Sequence, residues 1–134
     1  MIILYNNEGR IIYAFDDIMH IKDLSYPEKN LNFLIIPHNI PNIHDYCVFN
    51  NELIPKMKAK ISYNKEKGNL KISFVGNLSI KKVQLVIGNK LNSGKKITLP
   101  ASNNTIEIDI IKDEQKKWFI TIDDPLIEYK EVIV

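Results

Sequence analysis

From residue 58 onward, apolar and polar side chains alternate along the chain, and no other feature limits the possible folds as strongly. The alternation is clearest at 58–63 (KAKISY), 70–74 (LKISF) and 106–110 (IEIDI). Because successive side chains of a β-strand point to opposite faces, this period of two predicts antiparallel sheets with one buried and one solvated face. Helical periodicity is weak, and its best window, 16–24, is predicted to form only a single turn.

Turn-forming residues divide the C-terminal part of the chain into about seven strands, which start near residues 57, 69, 80, 95, 104, 116 and 127. Short strands at this spacing are typical of an immunoglobulin-like β-sandwich. The chain has one cysteine, Cys47, so the disulfide that joins the sheets of many such domains cannot form. The single tryptophan, Trp118, is predicted to be a core aromatic residue.

The N-terminal part of the chain has a different pattern, in which shorter apolar runs are joined by tight turns. The first two runs, 2–5 and 10–15, flank a turn in which Gly9 supplies a positive φ angle. They are therefore predicted to form a β-hairpin. A further apolar run at 31–36 is predicted to be a strand.

A second hairpin is predicted at 45–54, before Pro55. Its strands flank Asn50-Asn51, and asparagine tolerates the left-handed conformation that a two-residue hairpin turn requires. The whole chain is therefore predicted to be all-β. A small N-terminal β-hairpin region over residues 1–55 precedes a disulfide-free immunoglobulin-like β-sandwich over residues 56–134.

The net charge of +2 is the sum of three unlike segments. Residues 1–55 carry 3 basic and 7 acidic side chains, residues 56–96 carry 11 lysines and one acid, and residues 97–134 carry 4 lysines and 8 acids. Unless folding places acidic segments beside it, the middle segment is a docking surface for a negatively charged partner. The alternative is an ordinary solvated strand face. The candidate basic surface consists of Lys58, Lys60, Lys71 and Lys82.

Residue types that could bind a metal ion or act as a nucleophile occur together in one short segment. They are His38, His44, Asp45 and Cys47. The spacing of these residues matches no standard zinc motif, and no basic residue stands beside Cys47 to favour its thiolate. The sequence contains neither a phosphate-binding glycine loop nor a nucleophile-elbow motif. We therefore expect no catalytic residue, no metal site and no cofactor.

The segment 45–56 reads DYCVFNNELIPK and connects the two predicted regions. It resembles a hairpin of the form Tyr-x-Val-x-(Asn/Asp)-(Gly/Asn)-Glu-Leu-x-x-(Arg/Pro) that leads into an Ig-like domain in small virion proteins of tailed bacteriophages. The resemblance implies a non-enzymatic structural protein of the tail, of the tail-fibre attachment or of the capsid surface. It also implies synthesis in the host cytoplasm, a place in the virion, and contacts with other virion proteins or with further copies of the chain.

The C-terminal run has no charged residue after Glu131 and ends in the candidate assembly edge, Val132, Ile133 and Val134. An apolar edge strand can add to the sheet of a neighbouring chain, so this run is predicted to be either paired internally or used in assembly. No apolar run approaches the roughly 20 residues of a membrane-spanning helix, so no membrane partner is expected.

Two other functions stay open. A host-surface glycan- or receptor-binding module would use exposed aromatic residues, for which Phe119 and Tyr26 are the candidates. An accessory protein that contacts nucleic acid would use the Lys-rich segment 56–96. Single-strand binders place aromatic residues among their charges, but the alternation directs Tyr63 and Phe74 to the core face. Nucleic acid is therefore the less favoured partner.

Overall fold

The computed structural model describes residues 1–16, 31–90, 93–110 and 117–134. Within these residues the chain is all-β, its strands pair in antiparallel fashion in four sheets, and one 3-10 helix covers Ile43–Asp45. The predicted all-β class is confirmed. The predicted turn at 16–24 lies, apart from Asp16, outside the described residues. The chain divides into two compact units, Met1–Lys56 and Met57–Val134.

The first unit contains five short strands, namely β1 (Ile2–Tyr5), β2 (Ile11–Phe15), β3 (Asn32–Ile35), β4 (Tyr46–Phe49) and β5 (Glu52–Pro55). They form a three-stranded sheet of order β2-β1-β3 and a separate β4-β5 hairpin. Both predicted hairpins are confirmed. Gly9 has a φ angle of 88°, and Asn50 and Asn51 have φ angles of 50° and 62°.

The core of the first unit joins its two sheets, with Ile3, Ile11 and Val48 buried together. The turn before β2 lies directly against β4, because the Val48 N–H donates a hydrogen bond to the Gly9 carbonyl oxygen at 2.9 Å. A Cβ atom on Gly9 would lie 2.2 Å from the Val48 carbonyl oxygen. Glycine therefore both permits the positive φ angle and allows the two backbones to approach each other.

The second unit contains seven strands, namely β6 (Lys58–Asn64), β7 (Asn69–Val75), β8 (Lys82–Lys90), β9 (Ser93–Pro100), β10 (Thr105–Asp109), β11 (Phe119–Ile122) and β12 (Lys130–Ile133). Each begins within three residues of its predicted start. One sheet has the order β10-β7-β6 and the other has the order β12-β11-β8-β9.

The two sheets of the second unit share one hydrophobic core. Leu70 and Ile72 of β7 pack in the same cluster as Leu85 of β8 and Ile122 of β11. Two sheets whose buried residues form one core in this way make the two layers of a sandwich. The alternation in the sequence therefore reflects one core-facing and one solvent-facing side of each sheet.

Two polar links hold the segment between β11 and β12 in place. The Asp124 carboxylate, 7% exposed, accepts hydrogen bonds from the Gln84 and Leu126 N–H groups, each at 3.0 Å. Met57, immediately before β6, donates to the Leu126 carbonyl oxygen and accepts from the Glu128 N–H, both at 2.8 Å. The segment that leads into β12 is therefore hydrogen-bonded both to β8, through Asp124, and to the residue before β6, through Met57.

Candidate functional site

The predicted assembly edge forms the outermost strand of its sheet. β12 pairs with β11, and beyond the strand end Trp118 and Val134 exchange both backbone hydrogen bonds, at 2.8 and 3.0 Å. Internal pairing of the C-terminal run is therefore observed on one side of the strand. The opposite side of β12 is an edge of the sheet β12-β11-β8-β9.

Side chains of the predicted edge point in two directions. Val132 lies opposite Ile120 on the inner face, where Val132 and Val134 are half-buried and pack against the core. Ile133 lies on the outer face and is 60% exposed. Of the three predicted residues, Ile133 is the one that presents a large apolar surface to solvent.

Ile133 and Phe119 form a cross-strand pair at this edge. Because Trp118 and Val134 form a hydrogen-bonded pair, the next pair along an antiparallel ladder is a non-hydrogen-bonded pair, whose side chains lie closer together. Phe119 is half-buried and Ile133 is exposed. The pair therefore places apolar surface on the outer face of the sheet at its edge.

The backbone of β12 offers hydrogen-bonding groups at the same edge. In an antiparallel ladder, the residues that alternate with hydrogen-bonded positions direct their N–H and C=O groups away from the paired strand. The pairing of Val134 with Trp118 therefore makes Glu131 and Ile133 the outward-directed residues of β12. An added strand would bind to these groups.

Tyr129 lies just before β12, and its side chain is 63% exposed. Its hydroxyl donates a hydrogen bond to Oε1 of Glu131 at 2.7 Å. This hydrogen bond to the carboxylate raises the pKa of Tyr129 above its ordinary value, and desolvation and the negative charge of Glu131 add to the effect. The raised pKa extends to higher pH the range over which the Tyr129 hydroxyl can donate this hydrogen bond. The sequence interpretation did not identify it, although its two-residue spacing from Glu131 is visible there.

A second exposed apolar edge lies in the first unit. Phe33 and Ile35 of the edge strand β3 are 66% and 60% exposed. They lie opposite Leu4 and Ile2 of β1, so they share one face of that sheet. The sequence interpretation treated 31–36 only as a strand. Its signal was the unbroken apolar run at 33–36, which marks a strand with apolar residues on both faces.

The structure brings three residues of the candidate basic surface together. Lys58 and Lys60 of β6 and Lys71 of β7 are exposed on the outer face of the sheet β10-β7-β6, whereas Lys82 lies on β8 in the other sheet. Glu107 of β10 is directly opposite Lys71. Opposite charges in a cross-strand pair attract, so the acidic C-terminal segment offsets part of the basic field at this position.

The remaining candidates of the sequence are dispersed. Cys47 is buried in β4 and forms no disulfide, while His38 and His44 are exposed. In the described ranges, no group of three or more His, Cys, Asp or Glu side chains is arranged to hold a metal ion. Tyr26 lies outside the described residues. None of the helices found in the described ranges is long and apolar enough to cross a membrane.

Comparison of the chain with protein-family models, with curated proteins and with solved structures gives no match. A proposal about function therefore depends on the residues described above and on the resemblance of the segment 45–56.

Proposed function

We propose that this protein is a non-enzymatic structural component of a tailed-phage virion that acts through protein–protein contacts. The observation that carries the proposal is that each unit places large exposed apolar side chains on an edge strand. These are Phe33 and Ile35 on β3 and Ile133 on β12. Apolar side chains exposed at a sheet edge favour contact with another chain, because they bring apolar surface and outward-directed backbone groups to the same place.

In this proposal the second unit is an immunoglobulin-like domain. If β6 to β12 are lettered A, B, C, C′, E, F and G, the two sheets have the orders E-B-A and G-F-C-C′. Placement of A, B and E in one layer and of C, F and G in the other supports this assignment. The fold alone does not imply a function. The edge residues therefore carry the functional argument.

The assignment to a virion rests on the segment Asp45–Lys56. This segment forms the β4-β5 hairpin, and its turn residues Asn50 and Asn51 are both left-handed. The hairpin is followed at once in the chain by the second unit. The same order, hairpin motif and then Ig-like domain, is the basis of the resemblance to tailed-phage structural proteins.

Receptor or glycan binding is the second candidate function, and Tyr129 is the residue that favours it. Sugar sites combine an exposed aromatic ring with polar groups, and Tyr129 is 63% exposed and hydrogen-bonded to Glu131. A glycan-array signal that is lost in Tyr129→Ala and retained in Val75→Ala would favour this function. Val75 is an apt control because it is also exposed, on the central strand β7 of the other sheet.

The genes that flank the coding sequence provide the first test of the virion proposal, which expects them to encode portal, capsid or tail proteins. The chain is then co-expressed with those proteins, and the particles are separated on a density gradient. We expect the wild-type chain and Val75→Lys to migrate with the particles, and a chain that carries both Phe33→Lys and Ile133→Lys to remain at the top. Flanking genes of unrelated function, or a wild-type chain that never migrates with particles, would contradict the proposal.

A further inference from the structure

The sheet β12-β11-β8-β9 has a second edge, formed by β9, whose charge is opposite to that of the β12 edge. Lys96 of β9 is exposed, and the strand Ser93–Pro100 contains no acidic residue. Glu131 of β12 is also exposed. Its neighbour Lys130 reaches the other sheet, where its Nζ atom donates a hydrogen bond to the Ala59 carbonyl oxygen at 3.2 Å. The outer face is therefore basic at one edge of the sheet and acidic at the other.

The backbone of β9 offers hydrogen-bonding groups to the open side of the strand at Lys96 and Thr98. The Ala101 N–H donates to the Lys81 carbonyl oxygen at 2.8 Å, so the odd-numbered residues 95–99 are the ones that bond to β8. Lys96 and Thr98 alternate with these positions, and both side chains are exposed. Outward-directed backbone groups and outer-face side chains therefore coincide at the β9 edge, as they do at the β12 edge.

The β9 strand of a second copy can lie beside β12 with the direction and the facing that both sheets already have. Neighbouring strands of β12-β11-β8-β9 are all antiparallel, so β12 and β9 run in opposite directions. Residues directly opposite each other in an antiparallel ladder share a face, and the outward-directed residues of both edges lie on the outer face. The sheet of one copy can therefore continue the sheet of the next, inner face beside inner face.

One register brings complementary side chains of the two edges together. With Lys96 of the second copy opposite Glu131, Ile133 lies opposite Gly94 of the second copy. Gly94 is exposed, and the Val86 side chain of β8 lies beside it, because a Cβ atom on Gly94 would be 2.5 Å from Val86 Cγ1. Ile133 would therefore contact apolar surface next to the ion pair.

We propose that the β9 edge of a second copy of this chain binds antiparallel to the β12 edge, with Lys96 of one copy opposite Glu131 of the other. The inference rests on the proposed function, since it names the partner of the β12 edge. The contact is heterologous, so it repeats from copy to copy and builds a ring or an open filament. Lysine on an edge strand hinders unselective pairing, so Lys96 restricts the β9 edge to a neighbour that brings an acidic residue.

Mixing of two charge-reversed chains tests the proposal. Sedimentation velocity is measured on the wild-type chain, on Lys96→Glu, on Glu131→Lys and on an equimolar mixture of the two variants. We expect the wild-type chain to self-associate, and added NaCl to weaken the association. Each variant alone should associate about tenfold more weakly, because like charges then lie opposite each other. The mixture should associate as the wild type does, because each edge of one variant meets an opposite charge on the other variant.

Lys82→Glu is the matched control, because Lys82 is an exposed lysine of the same sheet but lies on the interior strand β8. It should associate as the wild type does. A wild-type chain that stays monomeric at the protein concentrations used for NMR, or a mixture that does not associate, would overturn the proposal. Association that is weakened in Glu131→Lys but unchanged in Lys96→Glu would also overturn it, because two β12 edges would then pair with each other. A monomeric chain that still migrates with particles would overturn this inference and leave the virion proposal in place.

Discussion

Ile133 lies directly opposite Phe119 in the β11-β12 ladder, and the Ile133 side chain is 60% exposed although its neighbour Val132 packs against the core. One short strand thus presents one apolar residue to the core and the next to solvent. The inner residue contributes to folding. The outer residue is available for contact with another chain.

Because the side chains of Val132 and Ile133 point to opposite faces of the sheet, the same substitution should have different effects at the two positions. Ile133→Lys should change the free energy of unfolding by no more than about 0.5 kcal/mol, as is usual for exposed positions. Val132→Lys should lower it by about 2 kcal/mol or more, because its charge would be placed against apolar neighbours. Urea denaturation of both variants measures the difference. Equal losses would contradict the assigned orientation of β12.

Gly9→Ala should destabilise the first unit. The positive φ angle of 88° and the 2.2 Å approach of the added Cβ atom to the Val48 carbonyl oxygen act together. Backbone strain of this kind costs about 1–3 kcal/mol, and the contact adds to it. Asn51→Gly is the control, since its φ angle of 62° suits glycine as well. Thermal unfolding followed by NMR signals of β1 and β4 reports the effect, and unchanged melting of Gly9→Ala would contradict it.

Asp124→Ala should lower the free energy of unfolding of the second unit. It would leave the Gln84 and Leu126 N–H groups without their acceptor, at about 1–3 kcal/mol for each donor that stays buried. Asp124→Asn keeps one side-chain oxygen acceptor and should lose less. Chemical denaturation ranks the three proteins. An alanine variant as stable as the wild type would show that these hydrogen bonds do not anchor the turn before β12.

Glu131→Gln should lower the pKa of Tyr129 towards its ordinary value. The hydrogen bond to the Glu131 carboxylate is the main cause of the raised pKa, and that carboxylate also repels the phenolate. A raised pKa means that the hydrogen bond contributes to stability below the ordinary tyrosine pKa of about 10 and is lost as the pH rises through the raised value. An NMR titration of the Tyr129 ring tests this expectation. Identical titration curves for wild type and variant would contradict it.

The sequence was most informative where structure depends on local chemistry. Alternation located β6 and β7, and Gly9 and the Asn50-Asn51 pair located the two hairpin turns. These features were predictable because a strand has a fixed period and because few residues adopt positive φ angles.

Features that depend on the order of strands within the sheets were not predictable in this way. The pairing of Lys71 with Glu107 requires β10 to lie beside β7, which no local pattern reveals. Trp118 was expected in the core, but it is half-buried and lines a pocket to which strands of both sheets contribute. Exposure of Phe33 and Ile35 likewise depends on β3 being an edge strand.

Hydrogen–deuterium exchange tests most directly the claim that the exposed edges are assembly contacts. Peptides that cover β3 and β12 are compared between the free chain and the chain in purified particles, with peptides of the central strand β7 as the internal reference. We predict slower exchange of backbone N–H groups in β12, including Glu131 and Ile133, or in β3, and unchanged exchange in β7. Unchanged exchange at both edges in a chain bound to particles would contradict the claim.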